Sequence, residues 1–149
     1  MSDQMRDLYR EVILDHNRAP RNFGELDDAT RVVEAVNPLC GDQLTLFVKT
    51  DGDRVTDIRF SGTGCAISVA SSSLMTEKVK GCDCAHALAL FEAVHDMLTG
   101  VTDPDPDKLE KLVALAGVRE YPSRVKCASL AWHALRTALS SDRDSVSTE

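Results

Sequence analysis

The chain has 149 residues, 43% of them hydrophobic, which is the length of one ordinary domain with enough apolar material for a core. Lys and Arg total 17 against 24 Asp and Glu, and the resulting net charge of −7 excludes a surface built to neutralise nucleic-acid phosphates. Aromatics are only 5% of the residues, too few for a base-stacking face, and no apolar run approaches the roughly 20 residues that span a bilayer. The polar start Met1-Ser2-Asp3-Gln4-Met5-Arg6 lacks the apolar stretch of a signal peptide, so a soluble, cytoplasmic protein is expected, with no nucleic-acid and no membrane partner.

Ser2 or Asp3 can cap a first helix. Met5, Leu8, Tyr9, Val12 and Ile13 recur at spacings of three and four and predict an amphipathic helix to about Asp15. Pro20, Asn22 and Gly24 mark a loop. Three strands follow, at Arg31–Val36, Leu44–Val48 and Val55–Phe60, with the hairpin signal Asp51-Gly52-Asp53 between the second and third. Short connections predict an antiparallel meander. Beyond Gly64 the pattern is helical: Cys65 to about Lys80, closed by Gly81; Ala85 to Leu98, closed by Gly100; a short helix capped by Asp107 and running to Ala116, closed by Gly117; and a last helix from Pro122 to about Leu139. Strands first and helices after is the α+β arrangement, here a three-stranded antiparallel sheet packed against helices. No repeat or linker divides residues 1–149, which read as a single domain whose last stretch, about 140–149, is a frayed polar tail.

Five cysteines without a secretion signal read as metal ligands, reactive thiols or buried core residues rather than disulfides. Cys40 lies in the turn between the first two strands. Cys65 lies where the third strand gives way to a helix, and Cys127 in the first turns of the last helix. Helix N-termini favour thiolates. Asp42 stands two residues after Cys40 and shares its side in an extended segment. Three thiolates and this carboxylate would complete a tetrahedral Zn²⁺ shell. The spacing alone leaves the alternative open: Cys65 and Cys127 as small core residues and Cys40 as a free turn thiol.

The flanks of these residues carry a resemblance. Leu8-Tyr9, Ile13-Leu14-Asp15-His16 and Pro20-Arg21-Asn22 form one motif, Asn37-Pro38-Leu39-Cys40-Gly41-Asp42 a second, and Gly62-Thr63-Gly64-Cys65-Ala66-Ile67-Ser68 a third. The fourth is Tyr121-Pro122-Ser123-Arg124-Val125-Lys126-Cys127-Ala128 with Leu130-Ala131-Trp132. Together, from residue 5 to about 139, they resemble the U-type iron–sulfur cluster assembly proteins, the IscU-like or NifU N-terminal family. Lys126, where IscU-type members carry His, and the longer stretch between Cys65 and Cys127 resemble the SufU branch.

The resemblance implies the SufE/NifU (IscU-like) fold and a zinc-dependent sulfurtransferase. Such a protein takes persulfide sulfur from a SufS-type, PLP-dependent cysteine desulfurase and passes it toward a SufBCD scaffold. It implies Cys40, Asp42, Cys65 and Cys127 as Zn²⁺ ligands and Cys40 as the sulfur acceptor, released when the desulfurase offers a histidine to the metal. The alternative it leaves is a scaffold building a [2Fe–2S] cluster, or holding Fe²⁺, on the same cysteines. Arg124 is the expected cationic neighbour offsetting the negative ligand set, and Lys126 is expected to be exposed. Cys82-Asp83-Cys84 with His86 looks like a metal clip but reads as a helix cap or surface loop. His16, His95 and His133 read as structural, the serine-rich helix from Ser68 as close packing, and the acidic run Asp103–Asp107 as a solvated connector.

Overall fold

The structure is a computed structural model and describes residues 3–148. Helix α1 (Asp3–Arg18) leads through a loop into strands β1 (Arg31–Asn37), β2 (Asp42–Asp51) and β3 (Arg54–Thr63). Helices α2 (Ala66–Val79) and α3 (Cys84–Leu98) follow. Then come one helical turn, α4 (Pro106–Leu109), a 3-10 segment (Glu110–Glu120), helix α5 (Pro122–Ser140) and strand β4 (Ser145–Ser147). Ser2 lies outside the described residues, and Asp3 is the first residue of α1.

The three sequence-predicted strands pair as an antiparallel meander, in which Val33 and Ala35 of β1, Leu44, Leu46 and Val48 of β2, and Val55, Ile58 and Phe60 of β3 face the helices. Period-two alternation sends one set of side chains inward and its neighbours to solvent. The inward row does not end on an apolar residue. Its next positions are Asn37 on β1 and Asp42 on β2, which are register partners and both buried.

The sheet has four strands, in the order β3-β2-β1-β4, not three. The segment read as a frayed tail turns back from α5, and Ser145–Ser147 pairs in parallel with Glu34–Val36. Its sequence is polar and three residues long, so it carries no periodic signal. A side chain remote in sequence docks it instead. The Arg31 guanidinium donates to the carbonyls of Ala138 (3.0 Å), Ser141 and Arg143 (2.5 Å), capping α5 and turning the chain onto β1. Two backbone bonds complete the join, Glu34 N–H to Asp144 (2.8 Å) and Thr148 N–H to Val36 (3.1 Å).

Helix α2 is the central element, packed against α1, α5 and β3, with Ser68 and the run from Ala70 to Thr76 buried. A helix buried over most of its surface needs its polar groups paired internally, and its serines provide this. Trp132 Nε1 donates to Ser71 Oγ (3.2 Å), whose hydroxyl donates to the Ala128 carbonyl (2.5 Å). Ser73 Oγ meets His16 Nδ1 (2.7 Å) and accepts from the Arg21 N–H (2.8 Å). The stripe of small side chains lets α5 and α1 approach closely.

The predicted helix from Asp107 to Ala116 is replaced by α4 and the 3-10 segment. The cap is Asp105, whose side chain accepts from the Asp107 N–H, and the chain breaks at Glu110, with φ of +53°. Leu112–Val118 is then buried on every side, so packing rather than one amphipathic stripe sets its winding. Gly117 does not close a helix. A Cβ there would lie 2.4 Å from the Tyr9 ring, so the glycine lets α1 seat against this segment.

Among the described residues no helix is long and apolar enough to cross a membrane. The Arg31 clasp makes one expectation. Arg31→Ala should remove hydrogen-exchange protection from the Glu34 and Thr148 amides and lower stability by about 1–3 kcal/mol, while core amides of β2 keep their protection relative to global unfolding. Unchanged exchange at Glu34 and Thr148 would show that β4 does not depend on this side chain.

Candidate metal centre

The site is the polar end of the inward-facing row of the sheet. The turn between β1 and β2 is Pro38–Gly41, and Gly41 adopts φ of +71°, a left-handed conformation that costs glycine little. This reversal puts Cys40 over the sheet end and returns the chain so that Asp42, only 1% exposed, points to the same place. Helix α5 crosses β1 and brings Cys127, with no exposed surface, against the pair. One ligand atom from each of Cys40, Asp42 and Cys127 lies within 4.8 Å of the others. The two sulfurs are 3.0 Å apart as free thiols.

Cys65 is the N-cap of α2. Its backbone N–H donates to Asp42 Oδ1 (2.9 Å), while its sulfur accepts from the Ser68 N–H (3.4 Å). The Cys65 sulfur therefore stands outside the group of three, though its backbone is fixed to the Asp42 carboxylate. Gly62 and Gly64 allow this approach. A Cβ on Gly62 would lie 2.1 Å from the Gln43 carbonyl oxygen, and one on Gly64 would lie 2.9 Å from Asp42 Oδ1.

Asn37 is a site residue that the cysteine motifs do not single out by chemistry. It is fully buried, and its Nδ2 donates to the Cys127 sulfur (3.6 Å). The available signal is its position: β1 alternates Val33, Ala35, Asn37 inward, and a polar residue in an inward slot needs a buried partner. Arg124 lies one turn before Cys127 on α5 and is the cation beside the sulfurs. Its guanidinium is held more firmly protonated than usual by the neighbouring Cys127 and by the charges of Cys65 and Cys40. Lys126 is exposed.

The electrostatics describe a place that wants a cation. Burial pushes the Cys127 thiol well above the ordinary cysteine range, and the contact with Cys40 and the nearness of the Asp42 and Cys65 charges push it further. Asp42 Oδ2 is buried and has no hydrogen-bond partner. A buried carboxylate oxygen with nothing to accept from, between two sulfurs, is costly as it stands. A divalent ion would supply the missing partner and hold the thiols as thiolates. Sulfur with one carboxylate oxygen is a donor set that suits Zn²⁺ and iron and is too soft for Mg²⁺ or Ca²⁺.

The other candidate residues go elsewhere. The Cys82 thiol donates to the Lys78 carbonyl (3.3 Å) at the end of α2, and Asp83 caps α3 by accepting from the His86 N–H (2.6 Å), the helix cap read from the sequence. Burial raises the Cys84 thiol pKa. His95 and His133 pack against Phe91 between α3 and α5, at ring distances of 5.7 and 5.3 Å.

The close fit around Asp42 can be tested directly. Gly64→Ala should displace the carboxylate and weaken Zn²⁺ binding by about 10–100-fold, as measured by competition with a chromophoric chelator, with the helical circular dichroism retained. An affinity equal to that of the unaltered chain would place Asp42 outside the metal shell.

Known proteins provide an independent comparison. Residues 8–142 match the NifU-like N terminal domain family. A protein named zinc-dependent sulfurtransferase SufU from Bacillus subtilis is 45% identical over 135 residues, covering 91% of this chain and 91% of that protein. The iron–sulfur cluster assembly scaffold protein IscU of Streptococcus pyogenes is 43% identical over 136 residues, covering 91% of this chain and 85% of its own. The crystal structure of an iron–sulfur cluster assembly scaffold protein for the SUF system from Fervidobacterium islandicum has a TM-score of 0.83 to this fold. That structure shares 36% identity and covers 89% of this chain and 97% of its own. The α+β fold is thus matched over nearly the whole length, and the chain belongs to the NifU-like N terminal domain family as a SufU-type member.

Proposed function

We propose that this chain is a zinc-dependent sulfur acceptor in iron–sulfur cluster assembly. It takes persulfide sulfur on Cys40 from a SufS-type cysteine desulfurase in the cytoplasm and passes it toward a SufBCD scaffold. The observation that carries the reading is the unequal setting of two touching thiols. Cys127 is fully buried on a helix, whereas Cys40 is partly exposed on a turn hinged at Gly41. Of these two, it is Cys40 that can meet a sulfur presented from outside.

Cys40, Asp42, Cys65 and Cys127 are the residues that would hold Zn²⁺. Cys65 would join by turning its sulfur from the α2 cap, its backbone already tied to Asp42. When bound, the ion keeps the cysteines as thiolates at neutral pH without adding redox chemistry. The chain does the rest. A Cys40 thiolate attacks the outer sulfur of the donor persulfide; a new S–S bond forms at Cys40, the donor's S–S bond breaks, and the donor cysteine leaves as a thiolate. Asn37 and the helix keep Cys127 in place during this exchange. Arg124 offsets the negative charge of the sulfurs.

One observation favours a second reading. The IscU relative is named a scaffold, and the same donor set would hold a [2Fe–2S] cluster or Fe²⁺. Lys126, in the position of the IscU-type histidine, supports sulfur transfer.

Incubation with desulfurase and cysteine, followed by mass spectrometry, should find one added sulfur on Cys40. It should be lost in Cys40→Ser and retained in Cys82→Ser with Cys84→Ser. Sulfur found only on Cys82 or Cys84 overturns the assignment. The protein as isolated should be colourless with tightly bound zinc; a stable brown protein carrying iron and sulfide would favour the scaffold. Chelation with verified metal loss should lower the melting temperature, because the ion joins the β1–β2 turn, the α2 start and α5.

A further inference from the structure

A groove of about 370 Å³ runs beside the thiol site, between α1 and the start of α5. Its floor is apolar, formed by Tyr9 and Ile13 of α1 and Ile67 of α2, with Tyr121 stacked on Tyr9 at 6.5 Å. Its rim is cationic: Arg6, Arg10 and Arg124 all line it, in a chain of net charge −7. Arg6 meets Glu120 at 3.6 Å, whereas Arg10 is exposed and its guanidinium is committed to no carboxylate among the described residues.

The groove adjoins the sulfurs. The Cys40 thiol lies 3.9 Å from the carbonyl of Ser123, the residue before Arg124; Arg124 stands one helical turn before Cys127, and Ile67 is two positions from Cys65. A volume of this size suits a small molecule, roughly the lower end of the 300–1,000 Å³ range of ligand pockets. Arginine forks select carboxylates, and the thiol site beyond selects what such a molecule can do there.

We infer that this groove binds a carboxylate-bearing low-molecular-weight thiol and lets it accept sulfur from Cys40, giving the protein a second, diffusible outlet. The inference rests on the persulfide reading of Cys40. The small thiolate attacks the outer sulfur of Cys40–S–SH. A bond forms between the two sulfurs, the Cys40 S–S bond breaks with its electron pair leaving on Cys40 as thiolate, and the small thiol departs as its own persulfide. The exchange is balanced without any added oxidant or reductant.

The test uses the full chain loaded with sulfur by desulfurase or, independently of that partner, by inorganic tetrasulfide, with the loading on Cys40 checked by mass. Mercaptosuccinate and uncharged thioglycerol are offered as acceptors at constant ionic strength, and each thiol is compared with itself, so that their different thiol pKa values cancel. Arg10→Glu, alone and with Arg6→Glu, should slow transfer to mercaptosuccinate by about tenfold or more and leave thioglycerol within about twofold. In the unaltered chain, succinate should inhibit mercaptosuccinate but not thioglycerol, a measurement that needs no variant. Equal effects on both thiols, or no inhibition by succinate, overturn the inference. So does a charge reversal that impairs only loading by the desulfurase, which would make the groove a protein-docking face. If desulfurase fails to load Cys40 but tetrasulfide succeeds, the proposed function fails and the groove is still judged by its own selectivity.

Discussion

The Asp42 carboxylate is the constraint on which the site is built. It enters the core edge as the first inward residue of β2, opposite Asn37, and its Oδ1 accepts the N–H of Cys65. One side chain thereby ties the end of a hairpin to the start of the central helix. The close contact at Gly64 follows from it, since a side chain there would meet both the Asp42 carboxylate and Ser68 of the helix, while Gly62 lets β3 lie close against the Gln43 backbone of β2. The bond also leaves Oδ2 buried and unpartnered between two cysteines. A charge that is half satisfied by a structural bond and half reserved for a ligand is expensive for folding and useful for binding.

The same arrangement assigns different work to chemically identical groups. Cys127 sits on a helix packed against the sheet, and Asn37 donates to its sulfur, so its position is set by the core. Cys65 is fixed through its backbone, and its sulfur is held by the long bond from the Ser68 N–H. Cys40 sits on a turn, with the Cys40 N–H to Asn37 carbonyl bond (3.2 Å) as its backbone anchor and its sulfur against Cys127 (3.0 Å) and the Ser123 carbonyl (3.9 Å). Under the proposed function, a metal shell made of these ligands would be graded in stiffness, with Cys40 on its turn as the softest position. Departure of one ligand without collapse of the fold requires that gradient.

Much of this was legible in the sequence because it rests on local patterns. The three long strands announce themselves by alternation, α2 and α3 by their flanks, and the four ligand candidates by motifs in which glycine and proline fix the backbone. Asn37 was less visible. Its role depends on which face of β1 is buried at its last residue and on a cysteine far along the chain. The fourth strand was invisible for a related reason: Ser145–Ser147 has no propensity of its own, and Arg31, more than 100 positions earlier, sets its place. The 3-10 segment failed in the opposite way. Its apolar residues suggest an amphipathic helix, but with Leu112–Val118 buried on all sides there is no solvent face to enforce that period, and contact between Gly117 and Tyr9 decides the winding.

Tyr9 links these remote effects to the chemistry. Its position on α1 is set by the glycine of the 3-10 segment, and its ring stacks on Tyr121 at the threshold of α5. Burial and the nearby Tyr121 and Cys65 charges raise its hydroxyl pKa to about 12, so it stays a neutral donor beside the sulfurs. The wall of the groove is thus apolar along Tyr9, Ile13 and Ile67 and cationic at Arg6, Arg10 and Arg124, the last of which also faces the thiol site. An anion entering by the arginines is drawn in by charge and then meets an apolar surface that leaves its carboxylates at the rim. That ordering favours molecules whose reactive end is less polar than their other end, which is the shape of a thiol bearing carboxylates.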